Sequence, residues 1–238
     1  TVDPWLLEET ATLFGGSGFG RHVATDGQHV MVASDPPVVE IYDRNLCGGL
    51  HECFSKMIEL IPPAGASSSF GSALSVDGDL AAVGDPGAGA GGKAFVYSRN
   101  YPASDAWSLL YTIEPASAIA GWETGAALAL SGDVLLVGSP GADNRGRAHL
   151  YLLTDTASLL AEIESPTPAA GDRFGASLDI SVNWLAVGAP AAEGGDGAAF
   201  VFDRTDALGG EPGTRIAITP PAGAQLGASI ALDDEDLL

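Results

Sequence analysis

The chain has 238 residues, 46% of them apolar, which is enough to bury a substantial core and argues against disorder. Its 31 acidic and 10 basic residues give a net charge of −21, a surface that repels nucleic acid and anionic lipid and suits divalent cations or basic proteins. No run approaches the ~20 apolar residues of a membrane span, so no membrane insertion is expected in this segment, and the opening TVDPW shows no basic region followed by an apolar core.

In chain order, Trp5 to Phe14 (WLLEETATLF) comes first, with roughly alternating apolar positions and the reading of a strand. Phe19-Gly20 then opens FGRHVATDGQHVMVASDP, which runs to Pro36. An aromatic alternating run follows, VEIYDR (Val39–Arg44), and after an irregular connection comes FSKMIELIPP (Phe54–Pro63). The same order then repeats. Phe70-Gly71 opens FGSALSVDGDLAAVGDP, ending at Pro86, with AFVYSR (Ala94–Arg99) and WSLLYTIEP (Trp107–Pro115) behind it. Thr124-Gly125 opens TGAALALSGDVLLVGSP, ending at Pro140, with AHLYLL and LLAEIESP behind it. Phe174-Gly175 opens FGASLDISVNWLAVGAP, ending at Pro190, with AFVFDR and RIAITPP behind it. A partial copy starts at Leu226-Gly227.

The anchoring glycines Gly20, Gly71, Gly125, Gly175 and Gly227 stand 51, 54, 50 and 52 residues apart, and a period of this length marks a propeller, solenoid or array. Within each copy, a short apolar run, a turn and a second apolar run predict an antiparallel hairpin. The turns are Asp26-Gly27, Asp77-Gly78 and Ser131-Gly132, with Val182-Asn183 in the fourth copy, where Asn takes the positive φ. The runs are small and almost wholly apolar, as strands buried on both faces are. The proline of Gly-x-Pro ends the second strand, because it cannot donate into a ladder. Glycine-rich loops (GAGAGG, GADNRG, AAEGGDG) lead into the aromatic strand, and no convincing helix is expected.

Four strands per period of about fifty residues is the blade of a β-propeller. The fold class is therefore all-β, a propeller of four-stranded antiparallel blades in one domain over 1–238. Its repeats lie near 19–63, 70–115, 124–166 and 174–221, with a partial one at 226–238 and 5–14 as the outer strand of a closing blade. A strand without its blade at each end leads to the expectation of a larger ring.

Sites of chemistry are thin. His22, His29, His51 and His149 are scattered without metal-ligand spacing, and His149 falls inside an aromatic strand, where packing is the default role. Asp143-Asn144-Arg145-Gly146 is a polar turn between the second and third strands, an oxygen-ligand loop or a recognition tip, with the polar turn as the default. The GAGAGG run has no helix behind it to help hold a phosphate. No nucleophile-elbow, zincin or phosphate-loop pattern occurs, so no catalytic residue, cofactor site or enzymatic activity is expected. Cys47 and Cys53, the only cysteines, lie in the connection between the aromatic strand and the outer strand of the first copy. Their even count and five-residue spacing point to a disulfide and an oxidising compartment, against two free thiols.

The aromatic–Gly pair (Phe19-Gly20, Phe70-Gly71, Gly125, Phe174-Gly175, Gly227) with Gly-x-Pro ending at Pro86, Pro140 and Pro190, and Ala33-Ser34-Asp35-Pro36 in its place in the first copy, resembles the FG-GAP repeat. That resemblance implies a β-propeller of the kind found in integrin α-subunits and secreted bacterial and algal proteins. It suggests seven blades, with five as the smaller alternative. It also departs from the integrin pattern. The turns ATDGQ, SVDGD, ALSGD and ISVNW leave no room for a D-x-D-x-D-G calcium loop, since a hard cation needs six to eight oxygens. Asp26, Asp77 and Asp79 therefore read as turn formers. Only Asp233, Asp234, Glu235 and Asp236 gather carboxylates, as weak metal candidates. In the third copy Thr124 replaces the aromatic, and Trp122, two residues earlier, is expected to fill its place.

These features point to a non-catalytic extracellular module whose loops meet a protein or glycan partner within an adhesin, surface appendage or larger assembly. Two alternatives stand beside it: a calcium-dependent, integrin α-like head, and the accessory propeller of a larger secreted enzyme.

Overall fold

The computed structural model describes residues 13, 15–35, 37–47, 51–99, 106–205, 214–215 and 221–232, with side chains left aside at 45–47, 51–53 and 214–215. Among the described residues, sixteen strands form four antiparallel four-stranded sheets, each in simple sequence order, so the fold is a β-propeller of four-stranded blades. Blade 1 holds β1 (Val23–Thr25), β2 (His29–Ser34), β3 (Val38–Cys47) and β4 (His51–Leu60). Blade 2 holds β5 (Ala73–Asp77), β6 (Leu80–Asp85), β7 (Lys93–Arg99) and β8 (Trp107–Ile113). Blade 3 holds β9 (Leu128–Ser131), β10 (Val134–Ser139), β11 (Arg147–Leu153) and β12 (Ala157–Ile163). Blade 4 holds β13 (Ser177–Ile180), β14 (Trp184–Ala189), β15 (Ala198–Asp203) and β16 (Thr214–Arg215).

The second strands behave as their composition demands. β6, β10 and β14 are buried along almost their whole length, and each stops at the residue before its proline. The inner strands β1, β5, β9 and β13 contact one another in succession, so the blades stand side by side around an axis. Each junction between blades is one apolar cluster. Blades 1 and 2 share Met31, Ile41, Phe70, Val83 and Phe95. Blades 2 and 3 share Ala94, Val96, Leu135, Val137 and Tyr151. Blades 3 and 4 share Leu136, Leu150, Phe174, Val187 and Phe200. Each of the outer strands β4, β8 and β12 carries a β-bulge against its neighbour, which bends the exposed edge and discourages pairing with another chain.

The recurring glycines have a physical cause. Inside a blade, the N–H of Gly71, Gly125 and Gly175 each donates to the carbonyl of Gly84, Gly138 and Gly188, 2.9 Å in every case, which extends the inner hairpin by one rung. Between blades, a Cβ on Gly84 would stand 2.0 Å from the Gly125 carbonyl oxygen, one on Gly138 2.1 Å from that of Gly175, and one on Gly188 2.0 Å from that of Gly227. The aromatic–Gly of one blade thus lies directly on the Gly-x-Pro of the blade before, with no room for a side chain. Isolated parallel bridges join the same places: Gly92 to Thr124, Gly146 to Phe174, and Gly197 to Leu226. The partial copy at Leu226-Gly227 therefore docks on blade 4 as the complete copies dock on theirs.

Several expectations change. The tight turns are centred on Gly78-Asp79 and Gly132-Asp133, since Asp77 pairs with Leu80 and Ser131 with Val134. Of the two central residues only glycine takes positive φ (+56° each), so glycine holds the first turn position, as in the II′ family, with Asp79 and Asp133 in the second. Asn183 does not adopt positive φ; its turn is closed by the Ser181 N–H donating to the Trp184 carbonyl at 2.9 Å. Cys47 and Cys53 sit on strands, because β3 and β4 each run ten residues and leave only a short connection. Helix-like backbone occurs as a 3-10 turn at Ala142–Asn144 and a four-residue turn at Ala192–Gly195. The strand expected at Trp5–Phe14 (all but Leu13), Pro36 and Asp233 to Asp236 lie outside the described residues.

Candidate interaction face

An antiparallel four-stranded blade sends its second-to-third connection, and the link to the next blade, to one end of the propeller. The hairpin turns and third-to-fourth connections go to the other. The first end is a loop face, the second a turn face.

On the loop face of blade 3, Asp143, Asn144 and Arg145 form an exposed tip. Asp143 and Asn144 take φ of 48° and 60°, the left-handed region that Asp and Asn tolerate better than most residues. The tip is fixed from both sides. Gly146 N–H donates to Ala142 at 2.8 Å, and Arg145 carbonyl accepts from Phe174 N–H, in the next blade, at 2.9 Å. Asn144 carbonyl accepts from Gly171 N–H at 2.5 Å. Beneath the tip, Arg147 pairs with Asp143 (2.8 Å), Glu162 (3.1 Å) and Glu164 (2.8 Å) and lies over the Trp122 ring at 5.9 Å. A small cavity lined by Asp143, Arg145, Arg147, Glu164 and Pro168 opens here. Other cations of this face are also paired: Lys93 with Glu114 at 3.0 Å and Arg173 with Glu123 at 2.7 Å. Arg145 is exposed and has no ion-pair partner among the described residues.

Behind the tip the third copy replaces apolar groups with polar ones. Blades 2 and 4 pack Phe70 against Phe95 and Phe174 against Phe200 as tilted ring pairs, at 5.8 and 5.6 Å. Blade 3 has Thr124 and His149 at those positions, with the Thr124 hydroxyl 3.0 Å from that of Ser139 and His149 Nδ1 3.4 Å from the same serine. Trp122 fills the space as its position suggested, buried and stacked on His149 at 6.3 Å. Burial holds His149 below the usual imidazole range, against smaller opposing effects of Glu162 and the Val137 backbone. His149 Nε2 and Trp122 Nε1 are buried without a hydrogen-bond partner among the described residues.

The turn face shows what the aspartates do. Asp26 Oδ2 accepts the Gly78 N–H at 3.0 Å, Asp77 Oδ2 the Gly132 N–H at 2.6 Å, and Asp179 Oδ2 the Leu232 N–H at 2.6 Å. Asp26 and Asp77 each cap the turn of the following blade, a charge-assisted bond of about 1.5–3 kcal/mol, while Asp179 takes the place of Ser75, whose hydroxyl accepts from the Leu130 N–H at 3.0 Å. Asp26 Oδ1 also accepts from Gln28 and His29 N–H, at 2.9 and 2.6 Å. Burial alone would raise the Asp26 pKa, but the hydrogen bonds from His29 and Gln28 outweigh it and hold the carboxyl low. Spacing in sequence reveals the turn, not the bond across blades. Asp79 contributes its carbonyl, which accepts from Arg99 N–H at 2.8 Å.

Residues 158–202 match the family model of the FG-GAP repeat. The match runs from β12 through β15, the copy in which Phe174-Gly175 and Gly188-Ala189-Pro190 both stand complete. The other copies depart from FG-GAP at one anchor or the other, as Gly84-Asp85-Pro86, Gly138-Ser139-Pro140 and Thr124 show. Among solved structures, the computationally designed Ika4 protein is similar at 16% identity and a TM-score of 0.51, over 83% of this chain and 99% of that one. That likeness is one of fold. No curated protein sequence matches this chain.

The cysteines remain a matter of register. Cys47 lies opposite His51 and Cys53 opposite Asn45, so the two stand two positions apart across the ladder. Diagonal neighbours lie about 7–8 Å apart, beyond the usual Cα separation of a disulfide, so bridging them needs the last rungs to yield. No helix among the described residues is long and apolar enough to cross a membrane.

Proposed function

We propose that the chain is a non-catalytic extracellular module that presents the loop face of an FG-GAP propeller to a protein or glycan partner, within an adhesin, surface appendage or larger assembly. The carrying observation is the blade 3 tip. Asp143, Asn144 and Arg145 are exposed, yet their backbone is pinned to blade 4 through Gly171 and Phe174. A loop held rigid in the left-handed region is ordered before binding, which lowers the entropy cost of recognition. Arg145 offers the partner a cation in an acidic field, and Arg is a residue enriched at interface hot spots.

Arrays of extracellular glycans and matrix proteins, probed with the chain and with an Asp143→Ala/Asn144→Gly/Arg145→Ala triple variant, test this reading. The expected result is a ligand whose binding falls at least tenfold in the variant while the melting temperature stays within a few degrees. Binding unaffected by the triple change would remove the tip from the reading. A calcium-dependent head is the second reading. It predicts a melting temperature that rises with calcium and falls with chelator, whereas the turn-face carboxylates already committed to backbone N–H groups favour no shift.

A further inference from the structure

Repeated copies of one fold show which loop-face side chains the fold itself requires. In the link between blades 2 and 3, the Trp122 N–H donates to the Ile119 carbonyl at 3.2 Å. The same bond runs from Asp172 to Ala169 at 3.4 Å and from Ala224 to Pro221 at 3.1 Å in the next two links. All three acceptor residues are exposed, yet only the first is a large aliphatic, with Ile119 62% exposed. At the tips, the N–H groups of Gly92, Gly146 and Gly197 close on the carbonyls of the buried Ala88, Ala142 and Ala192. Between those anchors blade 2 has Gly89-Ala90-Gly91 and blade 4 has Glu193-Gly194-Gly195-Asp196, whereas blade 3 has Asp143-Asn144-Arg145. Small residues suffice for the link and the tip alike, so neither Ile119 nor Arg145 is there to build the backbone.

The two residues lie on one pinned stretch of main chain. Gly91 of the blade 2 tip packs on Ile119, since a Cβ there would stand 2.9 Å from the Ile119 carbonyl oxygen. Three residues on, the Trp122 carbonyl accepts from the Gly141 N–H at 3.1 Å, at the base of the blade 3 tip. Ile119 thus stands on the blade 2 side of that base, and Arg145, whose carbonyl accepts from Phe174, on the blade 4 side.

We propose that Ile119 and Arg145 are the apolar and charged anchors of one docking surface, and that its occupant is a protein of basic surface bearing a carboxylate for Arg145 and an aliphatic-lined hollow for Ile119. This assignment rests on the tip as contact surface, proposed above, and adds what it binds. A protein fits better than a glycan, because sugar rings set their apolar faces on open aromatic rings and no aromatic side chain among the described residues is exposed. Trp122 itself is buried beneath Arg147. The basic character follows from the surroundings. Glu114, Glu123, Asp143 and Glu164 are half-exposed around the two anchors and the chain carries a net charge of −21, so the field that a partner meets is negative. A second copy of this chain shares that charge and is repelled. Within the field, Arg145 is an exposed cation without an ion-pair partner among the described residues, and its planar fork matches a carboxylate with two parallel bonds.

Printed arrays of purified matrix proteins and of glycans, probed with the 238-residue chain, the tip triple variant, Arg145→Glu and Ile119→Ala, test the occupant. Ile119→Ala copies Ala169 of the next link, so its melting temperature is expected to be unchanged. The expected result is binding to basic proteins that falls about fivefold in Ile119→Ala, about tenfold or more in Arg145→Glu, and further as salt rises. Binding lost in the triple variant but kept in Ile119→Ala overturns the two-anchor surface and leaves the tip as contact surface standing. Tip-dependent binding to glycans alone, or to acidic proteins alone, overturns the basic-protein occupant with the same consequence. Binding that survives the triple variant removes both, and an array on which no protein binds overturns the occupant proposed here.

Discussion

Junctions 1–2 and 2–3 join the same pair of surfaces by opposite means. Junction 1–2 has an apolar centre, with Phe70 on Phe95, and a buried His29–Asp26–Arg99 chain on its turn face. Its main chains do not touch as closely, because Ala33 stands where the other blades have glycine. Junction 2–3 has the closest main-chain approach, Gly84 on Gly125, and a parallel bridge from Gly92 to Thr124. Its aromatic stack, however, is replaced by Thr124, Ser139, His149 and Trp122. Where the backbone locks the blades, the side chains between them are free to become polar. Where the backbone stands off, side chains must carry the contact.

The sharpest way to break this contrast is a matched pair of alanines. At Gly125, with φ +86°, a Cβ would stand 2.2 Å from the Lys93 carbonyl oxygen, and main chain cannot move aside cheaply. At Gly71, also at φ +86°, the nearest atoms are side-chain carbons at 3.2 and 3.3 Å. Gly71→Ala then costs about 1–2 kcal/mol, mostly for the left-handed backbone. Gly125→Ala adds the clash and costs about 4 kcal/mol or more. Urea unfolding of both variants compares them. Equal losses would mean that the two junctions are held in the same way.

These two glycines also show how far the sequence reaches. Their period gives the blade, because an aromatic–Gly and a Gly-x-Pro recur at nearly constant spacing and the proline ends a strand. It does not give the partner of each glycine, since Gly84 meets Gly125 across a blade boundary that exists only once the sheets are stacked. The turns teach the same lesson. Asp77-Gly78 reads as the tip, but the rung between Asp77 and Leu80 moves the tip to Gly78-Asp79, and ladder register is a property of the whole strand. The Asp77 carboxylate is thereby directed to the Gly132 N–H of the next blade. Trp122 was legible because it lies two residues from the position it fills. The role of His29 was not, because its partner Arg99 is 70 residues away.

A second test uses the buried histidine of junction 2–3. His149 is fully buried, and burial lowers its pKa below the ordinary 6.5. The folded form therefore binds its proton less readily than the unfolded form. The stability it allows is complete above pH about 6.5 and falls as pH drops from there toward the lowered folded value, with a slope of at most about 1.4 kcal/mol per pH unit. Because junction 2–3 is tied by its backbone, this loss belongs to unfolding as a whole and not to local separation. His149→Leu is expected to abolish its share of the acid slope in urea unfolding and to leave the exchange of β1 and β5 unchanged. A variant that instead protects β5 in acid would show that junction 2–3 separates locally.

The smallest effect is expected at the most conspicuous charges. Arg147 meets three carboxylates within 3.1 Å, yet its side chain is 23% exposed and Asp143, Glu162 and Glu164 are 49%, 40% and 52% exposed. Water screens pairs of this kind, and exposed ion pairs contribute about 0–1 kcal/mol. Arg147→Met keeps an unbranched apolar stem to cover Trp122 while removing the charge. Unfolding stability should then change by less than about 1 kcal/mol, and half-molar salt should shrink the difference further, because the Debye length falls to a few ångströms. The tip itself rests on main-chain bonds from Gly146, Gly171 and Phe174, none of which involves the guanidinium. A large, salt-insensitive loss would mean that Arg147 holds junction 2–3 through its contact with Trp122, and the division between backbone-locked and side-chain-locked junctions would have to be redrawn.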